Sequence, residues 1–197
     1  MIKHYSSVKE IFKCKKNDIQ KGLDRYNSIM SALKKINVAY NMDFQKNYRY
    51  FYKVYRRTNQ FCNNYFEYFE SIKNNINIDF QTILQTICLF RENNELEMSF
   101  SSKILHTINP NYPIWDSIVT KEHFKIYAPS RNLPNQIRIV EASKTYDDYK
   151  DKFYEYMKSV EGKEIIELFD ENFPNNTISN VKKIDFVLWQ DRKQKNR

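Results

Sequence analysis

SFSSKILHTINPNYPIWDSIV, residues 99–119, holds a helix start, two proline stops and a second helix start in close succession. Serines at 99, 101 and 102 suit a helix N-terminus, and Ser99 or Ser101 is the expected cap of a short helix ending near His106. Asn109-Pro110 ends that helix, because proline cannot continue it. Tyr112-Pro113 then forces extended chain. Asp116, followed by Ser-Ile-Val, is placed to cap a further helix running to about Tyr127. The short helix advances only ~8 Å at 1.5 Å per residue. Residues 109–115 span up to ~23 Å when extended. The chain is therefore long enough to bring Asp116 back beside Lys103.

Outward from this stretch the pattern is helical. Ile19, Leu23, Tyr26, Ile29 or Met30, Leu33 and Ile36 step by three and four, as do Phe44, Tyr48, Phe51, Tyr52 and Tyr55, and then Phe61, Tyr65, Phe69 and Ile72. Asp79 is the expected cap of a helix carrying Phe80, Ile83, Leu84, Ile87 and Cys88. Residues 128–134, bounded by Pro129 and Pro134, read as a loop, and residues 136–142 (QIRIVEA) as a short strand or extended link. Thr145, with Asp148 three residues on, is expected to open a helix buried on Phe153, Tyr156, Met157 and Val160. Gly162 is a candidate kink, Pro174 a stop, and a last helix holds Val181, Ile184, Leu188 and Trp189. The expected fold is all-α: a compact two-lobed helical bundle, with one lobe over 38–127 and the other joining 1–37 to 128–197 around a cleft.

Composition narrows the function. Two glycines, Gly22 and Gly162, leave no glycine-rich phosphate loop, which excludes dinucleotide-binding and P-loop readings. Lys plus Arg exceed Asp plus Glu by 32 to 24, a net charge of +8. That excess attracts polyanions, nucleic acid first. Cys14, Cys62 and Cys88 form no CxxC pair, so reduced thiols and a cytoplasmic setting are expected. No stretch has the ~20 apolar residues of a membrane span. His4, His106 and His123 are scattered, and no zinc pattern appears.

The 99–119 stretch resembles the active-site segment of the helix-hairpin-helix DNA glycosylases, especially the members that act on 8-oxoguanine. The resemblance covers about twenty residues closely. It implies that Lys103 is the nucleophilic lysine and that Asp116, in Pro113-Ile114-Trp115-Asp116, is the aspartate that steadies the transition state. It implies as partner a double-stranded DNA carrying a damaged or modified base; no cofactor or metal is expected from the residues. A glycine-rich hairpin precedes the lysine in that family. Here Glu97-Met98-Ser99-Phe100-Ser101-Ser102 stands in its place, a degenerate hairpin in which Ser99, Ser101 and Ser102 are the expected phosphate contacts.

The residue types suit base excision. Breaking the bond from C1′ to a base nitrogen leaves positive charge on the sugar, which a carboxylate stabilises. A neutral amine can attack C1′ and proceed to a Schiff base. Lys103 must then be deprotonated, and burial among Phe100, Ile104 and Tyr112 would favour that. His106, Trp115 and Trp189 are candidates for the base pocket, with Trp189 placed by the resemblance. Residues 44–57 suggest one helix with aromatics inside and Lys46, Arg49, Lys53, Arg56 and Arg57 outside as a phosphate-contacting stripe. The rival readings are a non-catalytic basic DNA-binding module, an RNA-directed nuclease or toxin, and an interaction protein using its aromatic surface.

Overall fold

The computed structural model describes residues 1–55, 57–91 and 95–192. Among them the regular structure is helical, with no strand. Helix α1 spans Val8–Leu33, α2 Met42–Phe51, α3 Asn59–Ile72, α4 Phe80–Cys88 and α5 Met98–Ile108. A π-helix covers Val119–Phe124, followed by α6 at Asn135–Lys158, α7 at Val160–Asn172 and α8 at Asn180–Gln190. No helix among the described residues is long and apolar enough to cross a membrane.

Side-chain caps set many of the starts. Ser7, Asn41, Thr58, Asp79, Ser159 and Ser179 each accept from a backbone N–H one turn ahead, satisfying donors that have no partner within the helix. The Ser7 cap starts α1 well before Ile19, so Val8, Ile11 and Phe12 join the buried face. The chain breaks between α6 and α7 at Ser159, which ends one helix and caps the next; its hydroxyl oxygen accepts from the Gly162 N–H at 3.1 Å. Gly162 is therefore not a kink within one helix. It is the residue that lets the second helix start close against the first, since a Cβ there would overlap the Tyr156 carbonyl oxygen.

Three expectations from sequence are corrected. Residues 136–142 are helical, not a strand or link. Ile137 and Val140 are exposed while Ala142 is buried, so what looked like strand alternation is the lightly packed first turns of α6. Thr145 opens no helix; it lies inside α6 and donates to the Glu141 carbonyl oxygen at 2.7 Å. The stretch 44–57 is not a single helix either, because α2 stops at Phe51 and Lys53 has a left-handed backbone, φ 56°.

One hydrophobic core runs through the chain, drawing on residues from Val8 to Leu188. Helix α1 packs on α2, α7 and α8; α4 packs on α5 and α6; α6 also meets α7, α8 and the π-helix. The core is rich in rings, with Phe80 and Tyr146 stacked at 3.9 Å and Phe124 and Phe153 at 5.6 Å. Phe186 on α8 lies edge-on to Tyr26 of α1 at 6.2 Å. Gly22 admits this approach: a Cβ there would come 2.8 Å from the Phe186 ring. These contacts hold α1 and α8 together as one side of a cleft.

Candidate active site

The cleft has a volume of about 890 Å³ and takes residues from α1, the end of α2, α5, the loop before the π-helix, and α8. Lys103 and Asp116 both line it. The return of the chain that brings them together is held residue by residue. Ser179 donates to the Pro110 carbonyl oxygen at 2.6 Å, Tyr154 to that of Asn111 at 2.8 Å, Tyr146 to that of Pro113 at 2.7 Å and Tyr149 to that of Ile114 at 3.1 Å. His106 Nδ1–H donates to the Tyr112 carbonyl oxygen at 2.7 Å. The Trp115 N–H donates to Ser102 Oγ, 2.9 Å away on α5. Five successive carbonyls and one N–H are thus tied to neighbouring helices. A loop so anchored delivers Asp116 to a fixed place.

Asp116 caps the following turn, its Oδ1 accepting from the Ile118 N–H at 2.9 Å. The expected α-helix to Tyr127 is instead a brief helical turn widening into the π-helix and closing at Lys125, φ 59°. Burial raises the Asp116 pKa, against the lowering effects of the Ile118 N–H and the Lys103 charge, while Asp185 nearby adds to the rise.

Lys103 is only 6% exposed. Its Nζ donates to Ser99 Oγ at 2.9 Å, one turn back on α5, and lies 5.2 Å from the centre of the Phe100 ring. Burial lowers its pKa to about 8, against the raising charges of Asp116, Asp185 and Glu97; Lys182 adds to the lowering. A lysine of this kind is neutral for about a tenth of the time at pH 7, against well under about a thousandth for an exposed one.

The remaining candidates divide. Trp189 lines the cleft, with the Arg192 guanidinium 3.8 Å over its ring. Trp115 is buried in the core, edge-on to Tyr149 at 5.6 Å, and His106 is fully buried. Neither lines the cleft. With Nδ1–H committed to Tyr112, His106 Nε2 accepts from the Tyr26 hydroxyl at 3.3 Å. Burial, with the Lys182 charge nearby, pushes its pKa down to about 3, so it is a neutral loop anchor. Ser101 and Ser102 are also buried, their hydroxyls donating to the carbonyl oxygens of Glu97 and Ser99 at 3.0 Å each. They are occupied within the helix and do not present themselves to a phosphate. Ser99 is half-buried and serves Lys103.

The basic stripe scatters because α2 ends early. Lys46 is exposed away from the cleft, and Arg49 turns back to the Val54 carbonyl oxygen at 3.4 Å. Arg57 is drawn inward to Glu97, with contacts of 2.8 and 3.0 Å to its two carboxylate oxygens. Arg56 lies outside the described residues. Of the four that are described, Lys53 alone lines the cleft, its Nζ 4.5 Å over the exposed Tyr50 ring. Lys21, Arg25 and Arg192 join it, and Arg25 lies 4.2 Å over the same Tyr50 ring.

Sequence reasoning passed over Lys182 and gave Asp185 no role. Both line the cleft, and they form an ion pair of 2.7 Å. The available signal was spacing: Lys182, Asp185, Phe186 and Trp189 fall at i, i+3, i+4 and i+7, so a charged pair shares one helix stripe with two aromatics. No family model, curated protein or solved structure matches the chain.

Proposed function

We propose that the chain is a DNA glycosylase that extrudes a damaged or modified base from a duplex into the cleft, with Lys103 as nucleophile and Asp116 as stabiliser of the developing sugar cation. The observation that carries this reading is a buried lysine of lowered pKa sharing an open cleft with a carboxylate held by an anchored loop. The resemblance of residues 99–119 to helix-hairpin-helix glycosylases supports the same assignment. The neutral Lys103 amine attacks C1′ as the bond to the base breaks, and the departing pair of electrons goes to the base nitrogen, which takes up a proton. Asp116 beside the sugar stabilises its positive charge without surrendering its own. The two amine protons leave in turn, one balancing that taken up by the departing base and one passing to O4′ as the sugar ring opens, which gives the Schiff base. Lys21, Arg25, Lys53 and Arg192 around the cleft suit the phosphates on either side of the extruded nucleotide. Trp189 offers an aromatic face on which the base can stack.

Oxidised guanine is the first substrate to test and a bulky modified cytosine the second, corresponding to roles in repair and in defence against phage with modified DNA. Duplexes each bearing one modified base are incubated with the protein, assayed for abasic sites, and treated with borohydride to trap the covalent adduct. The wild type should yield both products on at least one duplex. Lys103→Gln should abolish the adduct, and Asp116→Asn should slow excision by about 10²–10³-fold, as loss of one charge-stabilising group does elsewhere. Abasic sites formed equally by all three proteins would overturn the assignment. Salt-dependent duplex binding with no excision on any substrate would favour a non-catalytic binder.

A further inference from the structure

The serines at the head of α5 use their hydroxyls in different ways. Ser101 and Ser102 donate back to the carbonyl oxygens of Glu97 and Ser99. The Ser99 oxygen instead accepts from Lys103 Nζ at 2.9 Å. Among the described residues no acceptor takes the Ser99 hydroxyl's own proton. Ser99 is half-buried and does not line the cleft, so the part of it that meets solvent does so outside the cleft. Its place is fixed from behind. Ser102 Oγ holds the Ser99 carbonyl oxygen at 3.0 Å and accepts from the Trp115 N–H at 2.9 Å. One hydroxyl therefore ties the residue beneath the amine to the residue before Asp116.

Excision requires Lys103 to lose a proton while DNA fills the cleft and displaces the water in it. Among the described residues Ser99 Oγ is the one hydrogen-bond partner of the Lys103 amine. The charged groups that act on Lys103 come from three elements: Asp116 from the anchored loop, Asp185 and Lys182 from α8, and Glu97 at the start of α5. Glu97 is held by Arg57 and Asp185 by Lys182, each at contacts of 2.8 Å or less. Asp116 accepts from the Ile118 N–H and has to stay ionised to steady the sugar cation. His106 is fully buried, with both ring nitrogens hydrogen-bonded elsewhere. None of these takes a hydrogen bond from the Lys103 amine.

We propose that Ser99 is a proton relay that strips the Lys103 ammonium under bound DNA and delivers the proton to water outside the cleft. The Nζ–H bond breaks and its electron pair stays on nitrogen as the attacking lone pair. The proton bonds to Ser99 Oγ as the hydroxyl's own proton passes to a water molecule. A hydroxyl is too weak a base to hold the extra proton, so the two transfers are concerted and serine is neutral before and after. This role deepens the excision reading and rests on it, since it supplies the outlet for the proton of the proposed nucleophile.

The probe is a duplex with a single abasic site, whose sugar aldehyde forms a Schiff base with the lysine whatever base the protein excises. The adduct is trapped with cyanoborohydride in single-turnover conditions at about pH 7. Ser99→Ala should trap about 10²-fold more slowly, the lower end of what a placed proton-transfer group contributes. Ser99→Thr, which keeps the hydroxyl, should stay near wild type. The trapping rate plotted against the deuterium fraction of the solvent should bow in the wild type, with two protons in flight, and run straight in Ser99→Ala. Acetylation of Lys103 by limiting acetic anhydride in DNA-free protein, read by mass spectrometry, should be the same in both, because the open cleft supplies water. Ser99→Ala trapping within about twofold of wild type would overturn the proposal. A straight deuterium plot in the wild type does so without any variant. Acetylation that falls by the same factor as trapping also does so, since Ser99 would then only set how much of the amine is neutral. Failure of the excision reading looks different: an adduct that obeys Ser99 in a protein that releases no modified base. A wild type that forms no Lys103 adduct removes both.

Discussion

At the scale of single residues, the features that suit Lys103 for chemistry weigh against stability. A lysine whose pKa falls from 10.5 unfolded to about 8 folded resists carrying its charge in the native state. Between those two values the unfolded chain holds a proton that the folded chain has released, so stability rises with pH across that window. Below about pH 8 the lysine is charged in both states and the full burial cost applies, up to about 3 kcal/mol. Lys103→Met fills a similar volume without charge. It should be more stable than wild type at neutral pH by about 1–2 kcal/mol, after allowing for the cation that Asp116 and Asp185 lose. It should also flatten the rise between pH 8 and 10.5. Denaturant melts at pH 7 and pH 10 check both outcomes. The proline stops and the capping aspartate leave a local mark in sequence that allows Asp116 to return beside Lys103, while the pairing of the two came from the resemblance. Lys182 was not legible, since its neighbours Tyr26, Phe51 and Tyr52 come from distant parts of the chain and only folding makes them a cage.

At the scale of elements, the loop from Asn109 to Trp115 is the part that turns composition into geometry. Tyr146 and Tyr149 help to fill the core with rings. Their hydroxyls do a second thing that no periodicity reveals, which is to bind the loop carbonyls of Pro113 and Ile114. Tyr146→Phe and Tyr149→Phe keep the rings and remove only those donors, leaving buried carbonyls unsatisfied. Each should cost about 1–2 kcal/mol. The double variant should lose excision more steeply than stability, because misplacing Asp116 by an ångström has a large effect on a positioned carboxylate. Thermal melts beside single-turnover excision rates separate the two effects. Helix caps such as Asp79 were readable because capping is a local interaction. The start of α6 was misread because Pro134 initiates it without any side-chain cap and its first turns bury little.

At the scale of the whole molecule, the net charge of +8 pointed to a polyanion, and the cleft gathers part of it. The expected stripe on one helix is replaced by Lys21 and Arg25 from α1, Lys53 past the end of α2 and Arg192 past α8, assembled from three places. If these four meet phosphates, log K for duplex binding should fall with log salt at a slope of about −3 to −4. Arg25→Gln and Lys53→Gln should each reduce that slope by about one, whereas Lys46→Gln, away from the cleft, should leave it unchanged. Fluorescence anisotropy over a salt series provides the measurement. The two tryptophans add a built-in gauge. One indole is sealed against Tyr149 and the other stands in the cleft under a guanidinium. Their emission should separate into a blue component deaf to acrylamide and a redder one that the quencher reaches. A nucleotide that enters would dim or shield only the second, so occupancy can be followed by light from the unlabelled protein.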